Sequence, residues 1–216
     1  PSDPEAAAQA AVPAVPPVTM DFDALAEING DIIGWITIPD TNISYPLLQG
    51  ESNDTYLRTA YNFQPSRMGS IFMDFRCSAD LCDRHTIIYG HNMQNGTMFG
   101  RLHLFESAAA VRNCPLISFD TIYENGLYAP FAAFRLSAET DFRKYVLDES
   151  EFADFVGQMR DRSSFTVPLD VSWGDQLLLL VTCDYDEREG RFVLALRRLR
   201  DTETASGVSA LIRQAQ

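Results

Sequence analysis

The chain has 216 residues, 46% apolar and 11% aromatic, with a formal net charge of −13. This length and composition fit one globular domain with its own core and exclude a disordered chain. The negative charge argues against nucleic-acid binding, which needs a basic surface to neutralise phosphates, and no run reads as a membrane span or a signal peptide.

Residues 1–20 are rich in alanine and proline and contain no aromatic residue. They predict a linker, since Pro13, Pro16 and Pro17 would stop an alanine-rich helix. Phe22, Leu25, Ala26 and Ile28 share one face behind a possible cap at Asp21, which predicts a helix ending at Asn29-Gly30. Residues 35–38 and 43–48 predict two strands around the turn Pro39-Asp40-Thr41-Asn42. A short helical turn is expected over 53–60, a strand over 69–74 and a clearer strand over 85–91. The pattern then predicts a short amphipathic helix over 99–104 and strand at 116–119 and 122–123. A further strand is expected over 127–136, with its pairing limited by Pro130. From 149 to 161 the period changes, with Phe152, Phe155, Val156 and Met159 at helical spacing and Ser150 as a possible cap. Residues 176–183 and 191–199 predict the last two strands, and 202–216 a weak helix that packs or frays. The sum is a mainly β domain over 21–216, made of many short strands closed as a barrel.

Four cysteines and three histidines carry the candidate chemistry. Cys183 ends the buried run Leu177-Leu178-Leu179-Leu180-Val181-Thr182, so it stands at the mouth of a strand, before a charged turn. Arg191 opens the return strand beside it, and Arg188 in the turn is the alternative. His91 stands at another strand end, after Gly90, and is a candidate proton partner for the thiol. A free thiol titrates near 8.5 and needs a nearby cation or base to attack at neutral pH, a service Arg191 and His91 would provide. Arg191 would also hold an oxyanion. His85 reads as a surface residue, and His103 as one that packs or faces solvent. Cys77 and Cys82 could form a small loop disulfide or remain two thiols in a turn, while Cys114 reads as a small buried residue. Cys77, Cys82 and His85 match zinc-ligand spacing only loosely, so no metal and no cofactor is expected.

Beyond these residues, ordered motifs resemble a known family. Leu-Val-Thr-Cys183 followed by Gly190-Arg191-Phe192-Val193 is similar to the TLxTC cysteine motif and downstream arginine of sortases. Ile88-Tyr89-Gly90-His91-Asn92-Met93, with Gly96-Thr97-Met98-Phe99-Gly100, resembles the histidine segment of class B sortases. Gly34-Trp35-Ile36-Thr37-Ile38, Tyr45-Pro46-Leu47-Leu48-Gln49-Gly50, Asn53-Asp54-Thr55-Tyr56-Leu57 and Gly69-Ser70-Ile71-Phe72-Met73-Asp74 agree with it. The resemblance implies a closed β-barrel of about eight strands, with N-terminal helices and a helix between the sixth and seventh strands. It implies a cysteine transpeptidase on the outer face of a Gram-positive cell membrane, with 1–20 as the linker from an N-terminal anchor. Such enzymes cut a sorting signal of the NPxTx or xPxTG type after its threonine. Cys183 would form a thioester, His91 would carry protons, and Arg191 would steady substrate and oxyanion. The acceptor would be an amine of a peptidoglycan precursor, or a pilin lysine in a polymerising enzyme; a non-catalytic peptide-binding module is the competing reading. Asn53, Tyr56, Leu57, Thr182 and Asp184 are the implied substrate-binding positions, with a capped, packed turn as the alternative for Asn53 and Tyr56. Val181 departs from the serine often found there, which leaves the exact sorting motif open.

Overall fold

A computed structural model describes residues 20–137, 148–184 and 190–216, with only the backbone at Cys183 and Asp184. The expected linker, apart from Met20, and Arg188 fall outside the described residues. Helix α1 (Phe22–Ile28) starts as expected, with the Asp21 carboxylate accepting the Ala24 N–H at 3.0 Å. Strands β1 (Ile32–Thr37), β2 (Ser44–Leu48), β3 (Ile71–Met73) and β4 (His85–Tyr89) follow. A 3-10 helix (Leu102–Glu106) and α2 (Ala108–Asn113) come next, then β5 (Ile117–Thr121) and β6 (Asn125–Leu136). Helix α3 (Glu149–Arg162) precedes β7 (Leu177–Asp184) and β8 (Gly190–Arg198), and α4 (Ala205–Ile212) lies near the end.

The strands close into one barrel in the order β1-β2-β3-β4-β7-β8-β6-β5. Two pairings, β2 with β3 and β4 with β7, are parallel, and the other six are antiparallel. Closure leaves no free edge, so each strand finds its backbone partners within the fold. The continuous apolar run Leu177–Val181 is buried on both faces, as such a run requires. At Pro130, which has no N–H to give, the register of β6 against β8 shifts, so the proline limits the pairing as expected.

Several local expectations are corrected by long-range partners. Residues 53–60 form successive turns rather than a helix, because the chain there pairs with 64–66. Ala60 N donates to the Gln64 carbonyl at 2.8 Å and Ser66 N to the Arg58 carbonyl at 2.9 Å. Ile122 and Tyr123 are not strand but the exposed tip of the β5–β6 hairpin, where the Thr121 hydroxyl accepts the N–H groups of Tyr123 and Glu124. The expected helix over 99–104 is a 3-10 turn shifted to 102–106, followed by α2, which Ser107 caps. Helix α3 begins at Glu149 with Asp148 as its cap rather than Ser150, the carboxylate taking the Glu151 N–H. His85 is buried, not a surface residue: β4 lies between β3 and β7, and the imidazole packs on Phe155 of α3 with ring centres 5.2 Å apart. Burial lowers its pKa.

The weak C-terminal helix packs. Val208, Ile212 and Ala215 are buried, and its connection is fixed from inside by Arg197 of β8, which is fully buried. The guanidinium pairs with Glu203 at 2.7 Å and lies 3.7 Å from Asp175, while Arg200 binds Asp175 and Asp170. A buried charge is costly to strand, whereas a surface pair contributes little. Arg197→Met should therefore cost about 3 kcal/mol by leaving the Glu203 carboxylate without its cation. Arg198→Met, which breaks a partly exposed pair with Glu124, should cost under about 1 kcal/mol. Urea unfolding of the two variants would show this gap, and equal losses would count against it.

Candidate active site

The barrel order brings three of the sequence-identified residues to one rim. Strands β4, β7 and β8 are consecutive neighbours. β4 and β7 run parallel with Tyr89 opposite Val181, so their C-terminal ends emerge together. The Gly90 N–H continues the ladder by donating to the Val181 carbonyl at 3.1 Å. His91 and Cys183 each lie two residues past the last matched pair. β8 returns antiparallel, with Arg191 directly opposite Cys183 and Gly190 opposite Asp184. Neighbouring strands are about 4.8 Å apart, so the backbones at Cys183 and Arg191 are adjacent.

The histidine segment is held by its own glycine-rich sequence. A Cβ on Gly90 would collide with Ile71 Cδ1 and the Phe99 ring, so any larger residue before His91 would have to displace them. Beyond it the chain folds back: Asn92 bridges to Met98, and the Phe99 N–H donates to the His91 carbonyl at 3.0 Å. Gly96 takes a φ of 78° at the turn, which suits glycine. The Met98 N–H donates to the Tyr45 hydroxyl at 3.1 Å. The half-buried His91 ring makes a 2.8 Å hydrogen bond from Nε2 to the Leu57 carbonyl. His103 packs rather than facing solvent. Its Nε2 lies 2.9 Å from Asn92 Nδ2 and its ring 4.6 Å from that of Phe192, so it ties together the residues following His91 and Arg191. The Arg191 guanidinium donates to the Gly190 carbonyl at 3.1 Å.

The other implied positions divide. Asn53 reaches the Asp74 carboxylate through Nδ2 at 3.0 Å and accepts the Phe75 N–H at 3.0 Å. Leu57 is half-buried and offers its carbonyl to His91. Tyr56 takes the packed alternative rather than a groove position: it is buried, and its hydroxyl donates to Asp31 at 2.6 Å and accepts from Asn29 at 2.9 Å. Burial and the Asp31 hydrogen bond push its phenol up to about 12. Thr182 is buried, and its hydroxyl has no hydrogen-bond partner among the described residues. Asp184 pairs through its backbone with Gly190. Val181 is buried and pairs with Val193. Cys77, Cys82 and Cys114 are free thiols in this structure, so the optional Cys77–Cys82 disulfide is not formed. Burial raises Cys77 to about 11 and Cys114 to about 12, which keeps both thiols protonated and inert. Among the described residues no group of His, Cys, Asp and Glu is placed to hold a metal ion.

Sequence reasoning assigned no role to Asp74, which anchors the Asn53–Leu57 segment to the barrel. It is buried at the end of β3 and accepts two hydrogen bonds from the Arg76 side chain, at 2.9 and 2.8 Å, besides that from Asn53. It also accepts from the Tyr89 hydroxyl at 3.1 Å. Burial pushes its carboxyl up, but Arg76 and Asn53 outweigh that and hold it at about 2. The folded value lies below the ordinary 3.8, so the stabilisation is complete above that value and is lost as pH falls towards 2. Asp74→Asn should thus cost about 2 kcal/mol near neutral pH, and the difference from the parent should shrink towards pH 2. Denaturant unfolding across that range measures it, and a pH-independent difference would contradict the assignment.

Comparison with known proteins bears on the family and the fold. The family model described as the sortase domain matches residues 36–198. The chain is 35% identical to sortase B of Listeria monocytogenes over 173 residues, 79% of this chain and 70% of the relative. It is 30% identical to sortase B of Staphylococcus aureus over 186 residues, 85% and 76% respectively. The crystal structure of Staphylococcus aureus sortase B superposes with a TM-score of 0.79 at 29% identity, covering 84% of this chain and 87% of that one. The family match and the barrel together place the chain in the sortase family, as a class B sortase and therefore a cysteine transpeptidase.

Proposed function

We propose that Cys183, His91 and Arg191 carry the transpeptidase chemistry, and that the substrate is a sorting signal of the NPxTx or xPxTG type cut after its threonine. The observation that supports this reading most is the alignment of β4, β7 and β8, which end or begin together at one rim. The Cys183 thiol gives its proton to His91, and the thiolate sulfur attacks the threonine carbonyl carbon. Arg191 stabilises the negative charge on the carbonyl oxygen as the tetrahedral adduct forms. His91 then protonates the leaving nitrogen, the C–N bond breaks, and a thioester remains on Cys183. An incoming amine gives its proton to His91 as its nitrogen attacks the thioester, and the thiolate leaves and is reprotonated. The net change exchanges one amide bond for another, with no redox step.

An amine of a peptidoglycan precursor is the acceptor we favour. Related structures include a Staphylococcus aureus sortase B–substrate complex and a sortase B complexed with triglycine, a peptide that ends in a primary amine. Leu57, beside His91, and the half-buried Asn53 are the described positions from which substrate contacts are most readily made, since Tyr56 and Thr182 are buried. Val181, in place of the serine often found there, offers no hydroxyl, which leaves the choice of sorting motif open. We place the enzyme at the outer face of a Gram-positive cell membrane, with 1–20 as the tether.

Quenched peptides of the NPxTx and xPxTG types, with triglycine as acceptor, provide the assay. Mass spectrometry should find cleavage after threonine, a thioester on Cys183 and a triglycine-ligated product. Cys183→Ala and His91→Ala should reduce turnover by at least about 10³-fold, and Arg191→Lys by about 10²-fold with little change in KM. Cleavage that survives Cys183→Ala would sink the assignment. Ligation to a lysine peptide in preference to triglycine would redirect the acceptor to a pilin.

A further inference from the structure

The His91 side chain is held by a backbone carbonyl. That carbonyl, of Leu57, lies 2.8 Å from Nε2. A carbonyl oxygen can only accept, so Nε2 must carry the proton, and the neutral ring is the Nε2–H tautomer. Proton exchange then belongs to Nδ1. The carbonyl is itself fixed by a close packing of backbone against backbone. Gly69 has a φ of 58°, and a Cβ there would lie 2.6 Å from both the Tyr56 and the Leu57 carbonyl oxygens. The next residue, Ser70, donates its N–H to the Tyr56 carbonyl at 3.0 Å and its hydroxyl to the Thr59 carbonyl at 2.8 Å. The Tyr56 hydroxyl anchors the segment from the other side through Asp31 and Asn29.

We propose that Gly69 is a positioning residue for catalysis: its missing side chain lets the Leu57 carbonyl reach His91 Nε2, fix the tautomer and leave Nδ1 as the proton-transferring atom. The proposal rests on the reading of His91 as the acid–base residue. At each half-reaction the same atom is used. Nδ1 takes the thiol proton, delivers it to the leaving nitrogen, takes one from the incoming amine and returns it to the thiolate, while the Nε2 proton never leaves. The carbonyl favours the imidazolium over the neutral ring, since a charged N–H donates the stronger hydrogen bond. Losing it therefore lowers the pKa of His91 as well as freeing the tautomer.

The test uses protein labelled with 15N at its three histidines, with His91→Gln to assign the His91 signals. Long-range proton–nitrogen correlation through a pH titration reads which ring nitrogen is protonated. The parent protein should show neutral His91 with its proton on Nε2. Gly69→Ala should show both tautomers, a lower His91 pKa, and kcat reduced by about tenfold or more. KM should change by less than about twofold, because the loss falls on the chemical step. A parent His91 that carries its neutral-state proton on Nδ1 would overturn the proposal, and it can be read even if Gly69→Ala does not fold. Unchanged tautomer and pKa in a folded, slow Gly69→Ala would also overturn it. Full activity in His91→Gln would instead overturn the catalytic role of His91 itself, whatever its tautomer.

Discussion

The parallel pairing of β4 with β7 is the constraint on which the site depends. Two parallel strands in register deliver the residues that follow them to the same place. Here those residues are a histidine and a cysteine from opposite halves of the chain. A parallel pair needs a long crossover, and the chain between them contains β5, β6 and α3. Much of the domain is thus the connection that lets two strand ends meet. The antiparallel return of β8 adds Arg191 with a tight register, because Cys183 and Arg191 are opposed in the ladder.

Around that rim the protein uses backbone and buried polar groups rather than mobile side chains to fix geometry. Asp74 gathers Arg76, Asn53 and Tyr89 at the end of β3. Tyr56 plugs the 53–57 segment into the small cluster of Ile32, Leu48 and Phe72. The Leu57 carbonyl, held between this plug and Gly69, then orients His91. On the far side His103 joins Asn92 to Phe192. Such support matters because acyl transfer depends on placing the reacting atoms within fractions of an ångström.

Burial also sets the state of two of the cysteines. Cys77 and Cys114 are shifted upward by desolvation and remain thiols, whereas Cys183 stands at the end of β7, at the rim.

The sequence by itself determined the local elements with strong periodicity and offered the candidates for the reactive groups. The five-residue apolar run before Thr182 reads as a strand buried on both faces, and the spacing of Phe152, Val156 and Met159 as a helix against a core, and both form as read. The order of the motifs also carried the family. What it left undecided followed from partners far along the chain. His85 is buried because β4 happens to lie between two strands, and Ile122 and Tyr123 are exposed because Thr121 closes a turn. Tyr56 became a core residue because Asp31 and Asn29 meet its hydroxyl, and Asp74 became an anchor because Asn53 and Tyr89 converge on it. Periodicity records only which face of an element is apolar. Which strand lies beside it, and so which carbonyl meets His91, is fixed only when the barrel closes, because that choice is made by hydrogen bonds between segments with no local trace of one another.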